Sequence, residues 1–246
     1  MILALHGLGA DRRQPLTLLE QDSQHAYQVV APDLRGHGDN TLPEDDEHLT
    51  FDQLAADVED LSQELSFTGP PFIIGISMGA AVAIQLIHRS KLPIAGALLI
   101  RPAWEWSPNP PNLAVFGDIA RLLNSLGARD GRQAIHETDR YRQIETHSPA
   151  AAAALLTQFD DPKAEDRAAR LTALPGSAPQ RPSRPLKAPP VVVLGCDLDP
   201  VHPQPLARTV ATDLAATFRL VPPRYEKPEA HRVTVNAAVR ALVNHT

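Results

Sequence analysis

The sequence predicts an α/β protein: a mostly parallel, doubly wound sheet carrying a helical insertion. Three observations lead there. Short apolar runs without alternation, at Met1–Leu5, Pro71–Ile74, Ile94–Trp104 and Val191–Leu194, read as parallel strands covered on both faces. Helical stripes alternate with these runs, as right-handed βαβ units require. From residue 105 to 174 the alternation stops and only helix-like segments follow.

Taken in order, Met1–Leu5 is a first strand, His6-Gly7-Leu8-Gly9 a turn, Pro15–Gln21 a weak helix and Tyr27–Ala31 a strand. A Gly-rich polar turn follows at Asp33–Gly38. Thr50 and Gln53 form a capping box, and Phe51, Leu54, Val58, Leu61 and Leu65 stripe a helix expected to run to about Ser66. The helix from Met78 to Ile87 is apolar on nearly every side and should be the most buried. In the insertion, helices are expected over Asn112–Leu126, Gly131–Glu145, Pro149–Phe159 and Pro162–Leu174, the last two announced by Ser148-Pro149 and Asp161-Pro162. Six prolines in the sixteen residues from Pro175 to Pro190 forbid a helix and return the chain to the sheet. A strand at Val191–Leu194, a helix striped by Leu206, Val210 and Leu214, a strand at Thr217–Val221 and a helix striped by Val235, Ala238, Val239 and Leu242 complete the chain.

Composition narrows the function classes. With 246 residues, 43% hydrophobic and 21% charged, there is length for one α/β domain plus an insertion. The net charge of −6 offers no basic stripe, so neither nucleic acid nor a membrane is an expected partner, and a small-molecule substrate is. The single cysteine, Cys196, cannot form an internal disulfide, and the N-terminus lacks a signal-peptide pattern, so a cytoplasmic setting is expected. The ten histidines are scattered without metal-ligand spacing; no metal and no cofactor are expected.

Gly75-Ile76-Ser77-Met78-Gly79, between an apolar strand and an apolar helix, matches the G-x-S-x-G nucleophile elbow. Such a turn strains the serine and holds its hydroxyl at the apex, while the glycines remove Cβ atoms that would collide there. Ser77 is therefore the candidate nucleophile. It needs a base, an acid to orient the base, and N–H donors for the oxyanion. In an open α/β sheet these come from loops at the carboxyl ends of the strands. Those loops hold His6-Gly7-Leu8, Asp33–Gly38, Arg101–Trp106, Asp197 and Asp199, and the stretch containing His231.

With these residues the chain resembles the α/β-hydrolase superfamily over nearly its whole length, in the manner of a capped, esterase-like serine hydrolase. The resemblance implies a core of residues 1–104 and 190–246, with 105–189 as a helical cap and its Pro-rich return. It implies the triad order Ser77, acid, His231, with the backbone N–H groups of Leu8 and Met78 as the oxyanion hole. Asp199 and Asp197 both stand as acids; Asp199-Pro200-Val201-His202-Pro203 looks like the family's acid turn and favours Asp199. His202, the rival base, is read as part of that turn. His6 and His37 are expected to hold loops, and Arg101 to make an ion pair fixing the cap, with binding of a substrate carboxylate as its other reading. Trp104 and Trp106 are candidates for the substrate pocket, with an aromatic hinge as the other reading. Cys196 is read as a small buried residue.

Only five residues precede His6, where the family usually has further strands, so either the sequence begins late or the sheet is shortened to about six strands. A shortened sheet would leave Tyr27–Ala31 as an edge strand, which a homodimer would cover. The implied activity is hydrolysis of a carboxylic ester, thioester or lactone through an acyl-enzyme on Ser77. Two alternatives stand beside it: carbon–carbon bond hydrolysis of a vinylogous diketone, and a hydrolase-derived ligand-binding protein with little turnover.

Overall fold

Strand β1 (Ile2–Leu5) is buried along its whole length. A computed structural model describes residues 1–20, 27–41, 49–65, 67, 69–182 and 189–244. Gln21, Ser66, His245 and residues 183–188 of the Pro-rich return lie outside the described residues. After β1 come α1 (Arg13–Leu18), β2 (Val29–Val30), α2 (Phe51–Glu64), β3 (Phe72–Ile76), α3 (Met78–Arg89) and β4 (Gly96–Ile100). The insertion contributes α4 (Ala114–Ala134), α5 (Asp139–His147), α6 (Pro149–Leu155), α7 (Thr157–Asp160) and α8 (Arg170–Ala173). The chain then closes with β5 (Val191–Cys196), α9 (Gln204–Asp213), β6 (Thr217–Val221) and α10 (Pro228–Asn244).

Six strands pair in the order β2-β1-β3-β4-β5-β6, and every pairing is parallel. The expected doubly wound parallel sheet of about six strands is therefore what the described residues form. Side chains alternate across it. Leu3, Leu5, Ile73, Leu99 and Val193 share one core with α2, α3, α9 and the insertion. Ile2, Ala4, Ile74, Ile76, Leu98 and Ile100 share the other with Leu19 and α10. Burial on both faces explains why these strands carry no polar alternation. The strand order reverses between β1 and β3, which opens a crevice at their carboxyl ends.

Three local expectations are corrected. The edge strand is only Val29–Val30, shorter than Tyr27–Ala31. The expected break after Leu126 is present as a kink at Gly127 (φ 74°), where the Glu165 carboxylate caps the freed Ala128 N–H at 2.7 Å, but the helix expected over Gly131–Glu145 is interrupted after Ala134 and resumes at Asp139. Residues 162–169 form turns, and only Arg170–Ala173 is helical. There Asp161 accepts from the Lys163 N–H at 3.0 Å, and its carboxylate also binds Arg167 and Arg170. Those two arginines reach the carbonyls of Gly38 (2.7 Å) and Gly36 (3.0 Å), seating the insertion on the Asp33–Gly38 loop.

Candidate active site

Ser77 sits between β3 and α3 with φ 54° and ψ −107°, a conformation that costs about 1–3 kcal/mol and must be held by its surroundings. The surroundings are tight. A Cβ on Gly75 would meet the Gly79 carbonyl oxygen at 2.3 Å, and one on Gly79 would meet the Leu5 carbonyl oxygen at 2.3 Å. Only glycine at both positions lets the elbow close against β1. The Ser77 N–H donates to the Ile100 carbonyl at 2.9 Å, tying the turn to the end of β4.

The group that meets the Ser77 hydroxyl is His202. Its Nε2 lies 2.9 Å from Ser77 Oγ, and its Nδ1 lies 2.8 Å from Asp199 Oδ1. Nδ1–H donating to the carboxylate leaves Nε2 free to accept the serine proton. Asp199 and His202 stand on one four-residue turn, Asp199-Pro200-Val201-His202, closed by the His202 N–H on the Asp199 carbonyl at 3.1 Å. Asp at the first position and Pro at the second suit such a turn. Asn112, from the start of the insertion, grips it by donating to the carbonyls of Val201 (2.7 Å) and Ala103 (3.0 Å).

Arg101 completes the buried cluster. Its Nη1 binds Asp199 Oδ2 at 2.5 Å and lies 3.3 Å from His202 Nδ1, with both ion-pair partners almost fully buried. Burial alone would raise the Asp199 carboxyl, but His202 and Arg101 together hold it well below the usual carboxylate range. Asp199 is thus ionised. Burial lowers the His202 imidazole, and Arg101 adds to that; Asp199 opposes both without reversing the shift, so His202 is neutral at pH 7.

The expectation that His231 reaches Ser77 is corrected. Helix α10 starts at Pro228, so His231 already lies inside its first turn, and its ring folds back to bind the Pro222 carbonyl through Nδ1 at 2.8 Å. Among the described residues it makes no hydrogen bond to Ser77 or Asp199. Asp199 carries the carboxylate at the cluster, whereas Asp197 is exposed. Arg101 pairs with Asp199 and not with the insertion.

Of the two readings of the tryptophans, the pocket one is not met. Trp104 is buried edge-on against Phe51 at 5.1 Å, and Trp106 donates to Asp213 at 2.6 Å. Neither lines the cleft above Ser77. That cleft, about 1010 Å³, is lined near the serine by Gly7, Leu8, Phe116, Val201, Arg224 and Tyr225. The Gly7 N–H is taken by Gln14 at 2.8 Å, while the Leu8 and Met78 amides have no acceptor among the described residues. His6 holds its loop, receiving the Leu34 N–H at Nε2 (3.0 Å) and bonding the Gly7 carbonyl through Nδ1 (2.9 Å). His37 bonds the Arg35 carbonyl in the same way at 2.9 Å. The Cys196 thiol is buried and pushed up to about 11 by that burial, which suits packing and not nucleophilic attack.

An alpha/beta hydrolase family model matches residues 2–237. The chain belongs to this family. Among solved structures, an esterase from Thermogutta terrifontis is 21% identical, with 98% of this chain and 89% of that one covered at a TM-score of 0.71. An enol-lactonase from Burkholderia xenovorans LB400 is 23% identical over 99% and 90%, also at 0.71. MenH from S. aureus is 16% identical over 100% and 94%, again at 0.71. At these identities the likeness speaks to the fold of this family member. Among curated proteins none matches the sequence significantly. No described helix is long and apolar enough to cross a membrane, and no described cluster of His, Cys, Asp and Glu could hold a metal ion.

Proposed function

We propose that the protein is a serine hydrolase that cleaves a carboxylic ester, thioester or lactone through an acyl-enzyme on Ser77, with His202 as general base and Asp199 orienting it. The observation that carries this reading is the continuous chain from Ser77 Oγ to His202 Nε2 (2.9 Å) and from His202 Nδ1 to Asp199 (2.8 Å). Ser77 attacks the carbonyl carbon as His202 takes its proton. Asp199 stabilises the imidazolium that forms. The amides of Leu8 and Met78, the latter at the N-terminus of α3, stabilise the oxyanion. His202 then returns the proton to the leaving group, and a water activated by the same base releases the acid.

A set of p-nitrophenyl esters, a lactone and a vinylogous diketone tests the proposal. Ester or lactone turnover that Ser77→Ala reduces by about 10⁴-fold or more supports it. Turnover of the diketone alone would favour carbon–carbon cleavage. No turnover and no fluorophosphonate adduct on folded protein would favour a ligand-binding role.

A further inference from the structure

The cleft over Ser77 carries a charge that the triad does not use. Six cationic side chains line it. Arg12 pairs with Asp33 and Asp39, Arg13 with Asp11, Arg167 with Asp161, and Arg101 with Asp199. Among the described residues Arg224 and Lys163 have no carboxylate partner. Lys163 is exposed. Arg224 is only partly exposed, lies in the loop that follows β6 and lines the same cleft as Ser77 and His202. Its Cζ lies 5.4 Å from the Tyr225 ring centroid, and Arg101 Cζ lies 5.9 Å from the centroid of the same ring, so two guanidinium groups pack against one aromatic side chain. The neighbouring Arg101 charge, and burial after it, lower the Arg224 pKa, with Tyr225 and Asp199 opposing them without reversing the shift.

A partly buried cation without a partner is costly, and a ligand that brings the counter-charge relieves that cost. The position is well fixed. Pro222 and Pro223 precede Arg224, and the Pro223 carbonyl accepts from the Lys227 N–H at 2.9 Å. A held, planar guanidinium fits a carboxylate by two parallel hydrogen bonds.

We propose that Arg224 is the anion-recognition residue of the Ser77 site, and that the substrate is an ester or lactone carrying a free carboxylate. This rests on the reading of Ser77 as an acyl-transfer nucleophile. The carboxylate lies on the acyl side, as in a dicarboxylic half-ester, or on the leaving-group side, and two substrate pairs separate the cases. p-Nitrophenyl hemiglutarate against p-nitrophenyl butyrate reports the acyl side, and 4-acetoxybenzoate against phenyl acetate reports the leaving group.

In one pair the anionic member should be preferred by about tenfold or more in kcat/KM, a preference that added salt weakens. Arg224→Gln should collapse that ratio, and Arg224→Lys should restore part of it by keeping the charge. No anionic preference in either pair, or a preference that survives Arg224→Gln, would overturn the proposal. Glutarate binding to Ser77→Ala protein, measured by calorimetry, keeps the two readings apart. Binding lost in the Ser77→Ala, Arg224→Gln double variant supports the anion site even if no ester is hydrolysed. Ester turnover with no Arg224-dependent ratio or binding would sink the anion site and leave the hydrolase reading standing.

Discussion

His202 and Asp199, three residues apart on one turn, put base and acid 2.8 Å from each other, and the far side of the same imidazole lies 2.9 Å from Ser77 Oγ. The geometry of the base therefore depends on a single short loop. Arg101 anchors the loop from below through Asp199, and Asn112 anchors it from the insertion through the Val201 carbonyl.

The pH profile follows from that burial. A base must be neutral to work, and His202 is held below the ordinary histidine value of 6.5. The acidic limb of kcat/KM should fall below pH 6.5, with activity present above it and lost as pH drops through the lowered value. Arg101→Met removes one of the influences that lower His202, so its limb should move to higher pH. The same substitution leaves the Asp199 carboxylate without its cation and should cost about 3–5 kcal/mol in urea unfolding.

Asn112→Ala should loosen the turn without touching the reacting groups. Losing two buried-side hydrogen bonds is worth about 1–3 kcal/mol in total. A drop of roughly tenfold in kcat with little change in KM would be the signature of a displaced base. Steady-state kinetics on the best ester substrate measures it.

Acid stability is governed partly by His6, fully buried and lowered to about 4 by that burial. The unfolded chain, with histidine near 6.5, binds more protons between these values, so the contribution is present above 6.5 and lost as pH falls towards 4. The expected loss is about 3 kcal/mol. Urea midpoints at pH 7 and pH 4.5 should differ less in His6→Asn than in the parent, although the variant is weaker at pH 7.

The sheet was readable because strands buried on both faces leave continuous apolar runs, as in Phe72–Ile76 and Gly96–Ile100. The elbow was readable because Gly75 and Gly79 are forced by close backbone approach. The histidine that meets Ser77 was not legible from chain order, which points to the stretch after the last strand, where Pro222-Pro223-Arg224-Tyr225 stands. A local signal did exist in Asp199-Pro200-Val201-His202, whose turn chemistry brings its ends together. The tryptophans misled because their position after β4 says nothing about which face they take; Trp104 turned to Phe51 and the core. Residues 162–169 failed as a helix because Asp161 is committed to Arg167 and Arg170, a tertiary contact that local propensity does not record.

The central claim is that His202, and not His231, activates Ser77. The rate of fluorophosphonate labelling at Ser77, measured by mass spectrometry in folded His202→Gln and His231→Gln variants, tests it most directly. The account predicts a fall of about 10³-fold or more for His202→Gln and a rate within a few-fold of the parent for His231→Gln. A labelling rate preserved in His202→Gln and abolished in His231→Gln would contradict it.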